Sequence, residues 1–294
     1  MPVPTPAAPF NAGTHAVTGI DHVIVGVRDL EAAAARWTKL GFHLTPRGRH
    51  IGWGTGNYCI MFAGDYIELL GIIDPQQFTN NLEQFVKTRE GLLGLAFAGR
   101  DEAECARELR AANLPFEGPK VLKRELELPE GTVLPEFGLI MLPPAVTPGL
   151  SAFVTVHKTP ELLRQPEWLR HANRATGLVS MTVVVDDPVD TAFGWLPVFG
   201  PNRISTANLV TVIDTGHGAI RFTTKAGLAQ LYPALVPLPE YPTPWIAALK
   251  ISVADKARCR DHLHFANILA FKTGKGCIVP PEEANGVIIE FVQE

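Results

Sequence analysis

A carboxylate inside an apolar run is costly unless something neutralises it, and Glu68 stands between Tyr66, Ile67, Leu69 and Leu70. A metal ion, a substrate proton or an arginine could each satisfy it, with Arg47 or Arg49 as the ordinary partner. Those arginines open the stretch RGRHIGWGTGN, a glycine-rich turn that could fold over a pocket. Within it His50 could move a proton, Thr55 and Asn57 could hydrogen-bond a polar substrate, and Trp53 could form an apolar wall. The plainer reading of His50 is a surface histidine on a hairpin loop. His22 begins one apolar run and His157 ends another. His171 could cap a helix or cross to a pocket, whereas His217, His262 and His264 read as solvated. Cys59, Cys105, Cys259 and Cys277 form no CxxC pair and have no histidine at a catalytic spacing. They read as reduced, buried thiols, which excludes a zinc knuckle and disfavours nucleophilic catalysis.

Residues this far apart can cooperate only if the chain brings its strands together, and the chain repeats one pattern four times. GIDHVIVGVRD (19–29) is a short apolar strand ending in aspartate, and LEAAAARWTKLGF after it has apolar residues at helical spacing. Asp29 is placed to cap that helix and Gly41 to end it. Three β-like runs follow, around HLTPRGRHIGW, NYCIMFA and DYIELLGII. GLLGLAFAGRD, GLVSMTVVVDD and WIAALKISVAD restart the same order, with capping aspartates 29, 101, 187 and 255 at intervals of 72, 86 and 68 residues. Asp101 and Glu104 form a capping-box pattern, and Pro188 takes the favoured first helical position.

The spacing predicts an α+β fold of four βαβββ units. Each unit is too small to bury its sheet alone, so they pair into two bowl-like sheets. The expected division is a flexible tail over 1–16, a first domain over 17–157 (units 17–75 and 90–157), a polar linker over 158–176, and a second domain over 177–294 (units 177–230 and 245–294).

The 294 residues are 46% hydrophobic and 19% charged, with a formal charge of −4 and no basic run. Nucleic acid and anionic membrane are therefore not expected partners. No apolar stretch approaches the ~20 residues of a membrane span, and the N-terminal segment lacks the pattern of a secretory signal, which points to the cytoplasm. A small-molecule substrate is the expected partner, with a homodimer left open.

GIDHVIVGVRDL, RGRHIGWGTGN and YIELL resemble the vicinal oxygen chelate superfamily, and more narrowly its glyoxalase, bleomycin-resistance and extradiol-dioxygenase members. HKTPELLRQPEWLRHAN resembles the HxTPE…RPEW…HPN stretch of glyoxalase-like proteins. The resemblance implies that the first and last strand of each unit can offer a metal ligand. His22, Gly94, Ser180 and Ala248 occupy the first position; Glu68, Thr155, Arg221 and Glu290 occupy the second. Only the first bowl has a usable set there. His157 shares a strand face with Thr155 and could complete a two-histidine, one-carboxylate site with His22 and Glu68. In the second bowl no such set exists, and Arg221 is expected to pair with Glu290. The implied cofactor is a divalent ion (iron, manganese, zinc or nickel). The implied activity is a glyoxalase-like metal-dependent enzyme of lyase, isomerase or dioxygenase type acting on a small oxygen-bearing molecule. The alternative is a non-catalytic protein that sequesters a small molecule or antibiotic.

Overall fold

Four aspartates end strands and start helices, as their spacing requires. The carboxylates of Asp29, Asp101, Asp187 and Asp255 accept the amides of Ala32, Glu104, Asp190 and Arg258 at 2.8–3.0 Å. The computed structural model describes residues 16–294, so the expected tail lies outside the described residues except for Ala16, which is buried.

The first unit is β1 (Gly19–Gly26), α1 (Leu30–Lys39), β2 (Gly48–His50), β3 (Thr55–Met61) and β4 (Tyr66–Ile72). The helix α2 (Leu82–Thr88) lies in the connection to the second unit. That unit is β5 (Gly91–Ala98), α3 (Glu102–Ala111), β6 (Glu117–Leu128), β7 (Gly131–Val133), β8 (Glu136–Met141) and β9 (Ala152–His157). The third is β10 (Ala175–Val184), α4 (Pro188–Phe193), α5 (Leu196–Phe199), β11 (Ile204–Ala207), β12 (Val210–Asp214) and β13 (Ala219–Thr223), followed by α6 (Lys225–Leu231). The fourth is β14 (Trp245–Val253), α7 (Lys256–Phe265), β15 (Phe271–Lys272), β16 (Gly276–Val279) and β17 (Ile288–Val292). The architecture is thus α+β, with four βαβββ units in two sheets. Among the described residues no helix is long and apolar enough to cross a membrane.

The first sheet runs β2-β3-β4-β1-β5-β9-β8-β6-β7, and β2 also pairs with β6. That pairing sets Gly48, Arg49 and His50 against Leu126, Glu125 and Arg124. The expected bowl is therefore closed into a barrel of eight strands with β7 outside the ring. Period-two alternation sends Ile24, Leu70, Leu139 and Phe153 inward to the lumen. Val23, Val25, Ile67, Leu69 and Val154 point outward and are buried in the main core. The second sheet runs β11-β12-β13-β10-β14-β17-β16-β15. Both sheets contribute to that core, where Phe97 meets Trp195 at 5.8 Å and Phe42 meets Phe291 at 5.9 Å between ring centres.

The segment after β9 does more than connect. Leu163 and Trp168 are buried in a cluster with Cys59, Met61, Tyr66, Leu126 and Phe137. Arg164 donates to the carbonyls of Phe62 and Ala63. The polar and proline-rich composition conceals two large apolar residues that stopper one end of the barrel.

One face of the second sheet is filled by side chains. Val184, Ala248, Ile278 and Ile288 are covered by Leu228 of α6 and by Tyr232 and Leu235 just after it. Glu290 pairs with Lys250 at 3.1 Å and accepts from the Tyr232 hydroxyl at 3.4 Å. The expected pairing with Arg221 is corrected: Lys250 lies directly beside Glu290 in the parallel β14–β17 register.

Candidate functional site

The barrel encloses a cavity of ≈ 150 Å³. Its walls are mostly aliphatic and aromatic, and its polar groups are few. His22, Gly94, Glu68 and Thr155, the four positions singled out in the first two units, all line it. His50, Trp53, Thr55 and Arg124 line it as well.

Parallel pairing of β1 with β4 places His22 beside Tyr66 and Ile24 beside Glu68. The rings of His22 and Tyr66 stack at 4.3 Å, and His22 Nε2 lies 3.6 Å from Glu68 Oε2. Residues 46 positions apart in the chain are thus joined by one strand pairing. His50 enters from β2, with Nε2 3.7 Å from Glu68 Oε1 and Nδ1 2.9 Å from Thr55 Oγ1. Thr55 therefore orients His50 while also lining the cavity.

Asn57 is turned to a different task from substrate binding. Its Nδ2 donates to Glu68 Oε1 at 2.5 Å, and it does not line the cavity. Gly48, opposite it on β2, leaves the space that the amide fills, because a Cβ there would collide with Asn57 Oδ1. Trp53 lines the cavity and packs edge-on against Phe78 at 5.0 Å. With Thr79, Asn80 and Leu82 it forms part of the cavity wall contributed by non-barrel segments.

His157 does not join this group. Its Nε2 is 2.9 Å from Asp21 Oδ1, and its ring packs edge-on against Phe137 at 5.2 Å. Sequence reasoning passed over Asp21, whose two oxygens lie 2.9 and 3.0 Å from His157 Nε2 and whose Oδ2 also meets His22 Nδ1 at 2.8 Å. It also passed over Arg124, which is 2% exposed and sits directly across the barrel seam from His50. Nor do Arg47 and Arg49 serve Glu68. Arg47 instead pairs with Glu127 and Glu31, outside the cavity. Asp21 could have been suspected from its position before His22; Arg124, in the charged run KVLKRELEL, gave no signal.

The electrostatics divide the roles. Burial alone would raise the Glu68 pKa, but His50, His22, the Asn57 amide and Arg124 outweigh it and hold the carboxyl below its usual range. Burial pushes His50 down, Glu68 pulls it back and Arg124 pushes it down again, so the imidazole ends below its ordinary value. At neutral pH the cavity therefore holds an ionised carboxylate facing a neutral imidazole. Asp21 is held far below the usual carboxylate range, because hydrogen bonds from His157 and His22 overcome its burial.

Two imidazoles and a carboxylate are suitable donors for a divalent ion. The three expected donors are not brought together. Each imidazole meets a different oxygen of Glu68, and His157 is turned to Asp21. Among the described residues no group of three or more His, Cys, Asp or Glu side chains is placed to hold a metal. The expected His22–Glu68–His157 set is not formed.

A family model described as a glyoxalase-like domain matches residues 20–199. Among solved structures, a hypothetical protein from Staphylococcus aureus superposes with a TM-score of 0.66 at 14% identity, covering 94% of this chain and 99% of that one. A mutant of 4-hydroxymandelate synthase from Streptomyces coelicolor gives a TM-score of 0.55 at 14% identity, covering 94% and 92%. A xylose isomerase-like TIM barrel/4-hydroxyphenylpyruvate dioxygenase fusion protein gives 0.55 at 13% identity, covering 99% of this chain and 51% of its own. At such identities the likeness is one of fold. None of the curated proteins matches the chain.

Proposed function

Because the chain belongs to the glyoxalase-like domain family, we propose that it is an enzyme whose first barrel admits a small oxygen-bearing organic molecule and moves a proton on it. The observation that carries this reading is the buried His50 set 3.7 Å from the buried Glu68 inside an apolar-walled cavity. His50 Nε2 accepts a proton from the substrate, and Glu68 stabilises the imidazolium that forms. Thr55 on Nδ1 keeps the ring in place, and Asn57 keeps Glu68 in place. Return of the proton to a neighbouring atom gives isomerisation; loss of a leaving group instead gives a lyase.

The test is proton exchange. Small hydroxy- and keto-compounds are incubated with the protein in D₂O and followed by proton NMR. A substrate should exchange one C–H, and His50→Gln should slow that exchange roughly 100-fold or more. A compound that binds tightly and returns with every C–H intact would support sequestration without chemistry and overturn the catalytic reading.

A further inference from the structure

Arg124 lines the cavity, is 2% exposed, and makes no ion pair within 4.0 Å among the described residues. Its Nη1 donates to Cys59 Sγ at 3.1 Å, and its guanidinium faces the Phe137 ring at 5.7 Å. Among the described residues its Nε and Nη2 are buried without a hydrogen-bond partner. Two adjacent orphaned donors on a permanent cation are expensive to leave unmade. They are also the parallel side-on edge of the guanidinium, the edge that binds both oxygens of a carboxylate.

We propose that Arg124 is the anchor for a small monocarboxylate, whose carboxylate takes the Nε and Nη2 edge while its apolar body lies against the barrel wall. This names a substrate class for the site and rests on the proton-transfer reading only for what happens after binding. Charge favours a monoanion over a dianion. Glu68 already opposes Arg124, so a phosphate dianion would leave the dry cavity more negative than a carboxylate does. Size agrees, since ≈ 150 Å³ is room for a body about as large as benzene. Ile24, Leu70, Leu95, Leu122, Leu139 and Phe153 offer that body no polar partner.

The experiment is calorimetric titration of the full chain with monocarboxylates from propionate to benzoate, each beside its primary amide, and with phenyl phosphate. At least one acid should bind ten-fold or more tightly than its amide, and than phenyl phosphate. That preference should vanish in Arg124→Met and fall in Arg124→Lys, which keeps the charge without the fork. Arg124→Met also removes the Nη1 donor to Cys59 and a charge that offsets Glu68, so circular dichroism first establishes that each variant is folded; a folded Arg124→Lys or Arg124→Met that keeps the parent's full preference for the acid overturns the proposal. Equal binding of acids and amides in the parent protein, or no binding by either, overturns it without any variant. Glu68→Gln and His50→Gln separate the two readings. If they retain acid preference while no exchange is ever seen, the anchor stands and the catalytic reading fails. Exchange on neutral compounds with no acid preference gives the reverse.

Discussion

Asp21 Oδ2 lies 2.8 Å from Nδ1 of His22, its neighbour on the same strand. Regular pleating would send the two side chains to opposite faces. The register explains the exception. Ile20 pairs with Phe97 and His22 with Ala96, so Asp21 is an extra residue in a β-bulge. The same shift recurs in the third unit, where Leu178 pairs with Ile251 and Ser180 with Lys250, leaving Val179 as the extra residue. The bulge belongs to the repeat; the aspartate belongs to the first barrel alone.

Asp21→Asn should therefore loosen more than one contact, because this carboxylate serves both His22 and His157. Hydrogen bonds to a buried charge contribute ~1.5–3 kcal/mol, and a loss of that order is expected in urea unfolding at pH 7. The group's pKa is depressed in the folded state, so its contribution is present above the unfolded value of 3.8 and is lost as pH falls below it. A variant as stable as the parent at pH 7 would show that the bulge holds His22 without the aspartate.

His50 should titrate below its ordinary value, and the two neighbours should move it in opposite directions. Glu68 raises its pKa and Arg124 lowers it. Glu68→Gln is thus expected to lower the value further and Arg124→Met to raise it, both followed by NMR of the imidazole. Shifts of the same sign in both variants would contradict the geometry.

His171 supplies an acid limit to stability. Its Nδ1 accepts from the His43 amide at 3.0 Å and its Nε2 donates to the Met61 carbonyl at 3.0 Å. Burial pushes its pKa from 6.5 down to about 4. The folded state prefers the neutral ring, so the contribution is complete above pH 6.5 and is lost as pH falls toward 4. The loss amounts to about 3 kcal/mol. Denaturation of the parent and His171→Gln at pH 7.5, 5.5 and 4.5 should show converging stabilities; parallel curves would remove His171 as the cause.

Trp168→Ala should unstopper the barrel. Truncating a buried tryptophan costs ~3–5 kcal/mol, and the effect should appear in thermal unfolding together with weaker protection of the β4 amides from exchange. A change below ~1 kcal/mol would mean that the segment 158–176 is a passive connection.

Elemental analysis of tag-free protein prepared without chelators should give well under one divalent ion per chain, with no change in His157→Ala. One ion per chain, lost in His22→Ala and in Glu68→Ala, would show that the donors regroup around a metal after all.

Local chemistry was enough to fix the repeat. Aspartate caps at four similar intervals and apolar strands before them require βαβββ units, and the alternation within YIELL and GIDHVIV decides which residues face together. His22, Glu68 and His50 were legible as candidates for that reason. Tertiary structure decided what those patterns leave free. A three-residue pairing of β2 with β6 turned a bowl into a barrel and set Arg124 beside His50. One bulge residue turned Asp21 toward His22 and, with it, drew His157 away from Glu68. Asn57 looked available for substrate until packing placed Glu68 within its reach. Periodicity constrains a strand's two faces. Which strands close a ring, where a register slips and which donor is already engaged depend on partners far away in the chain.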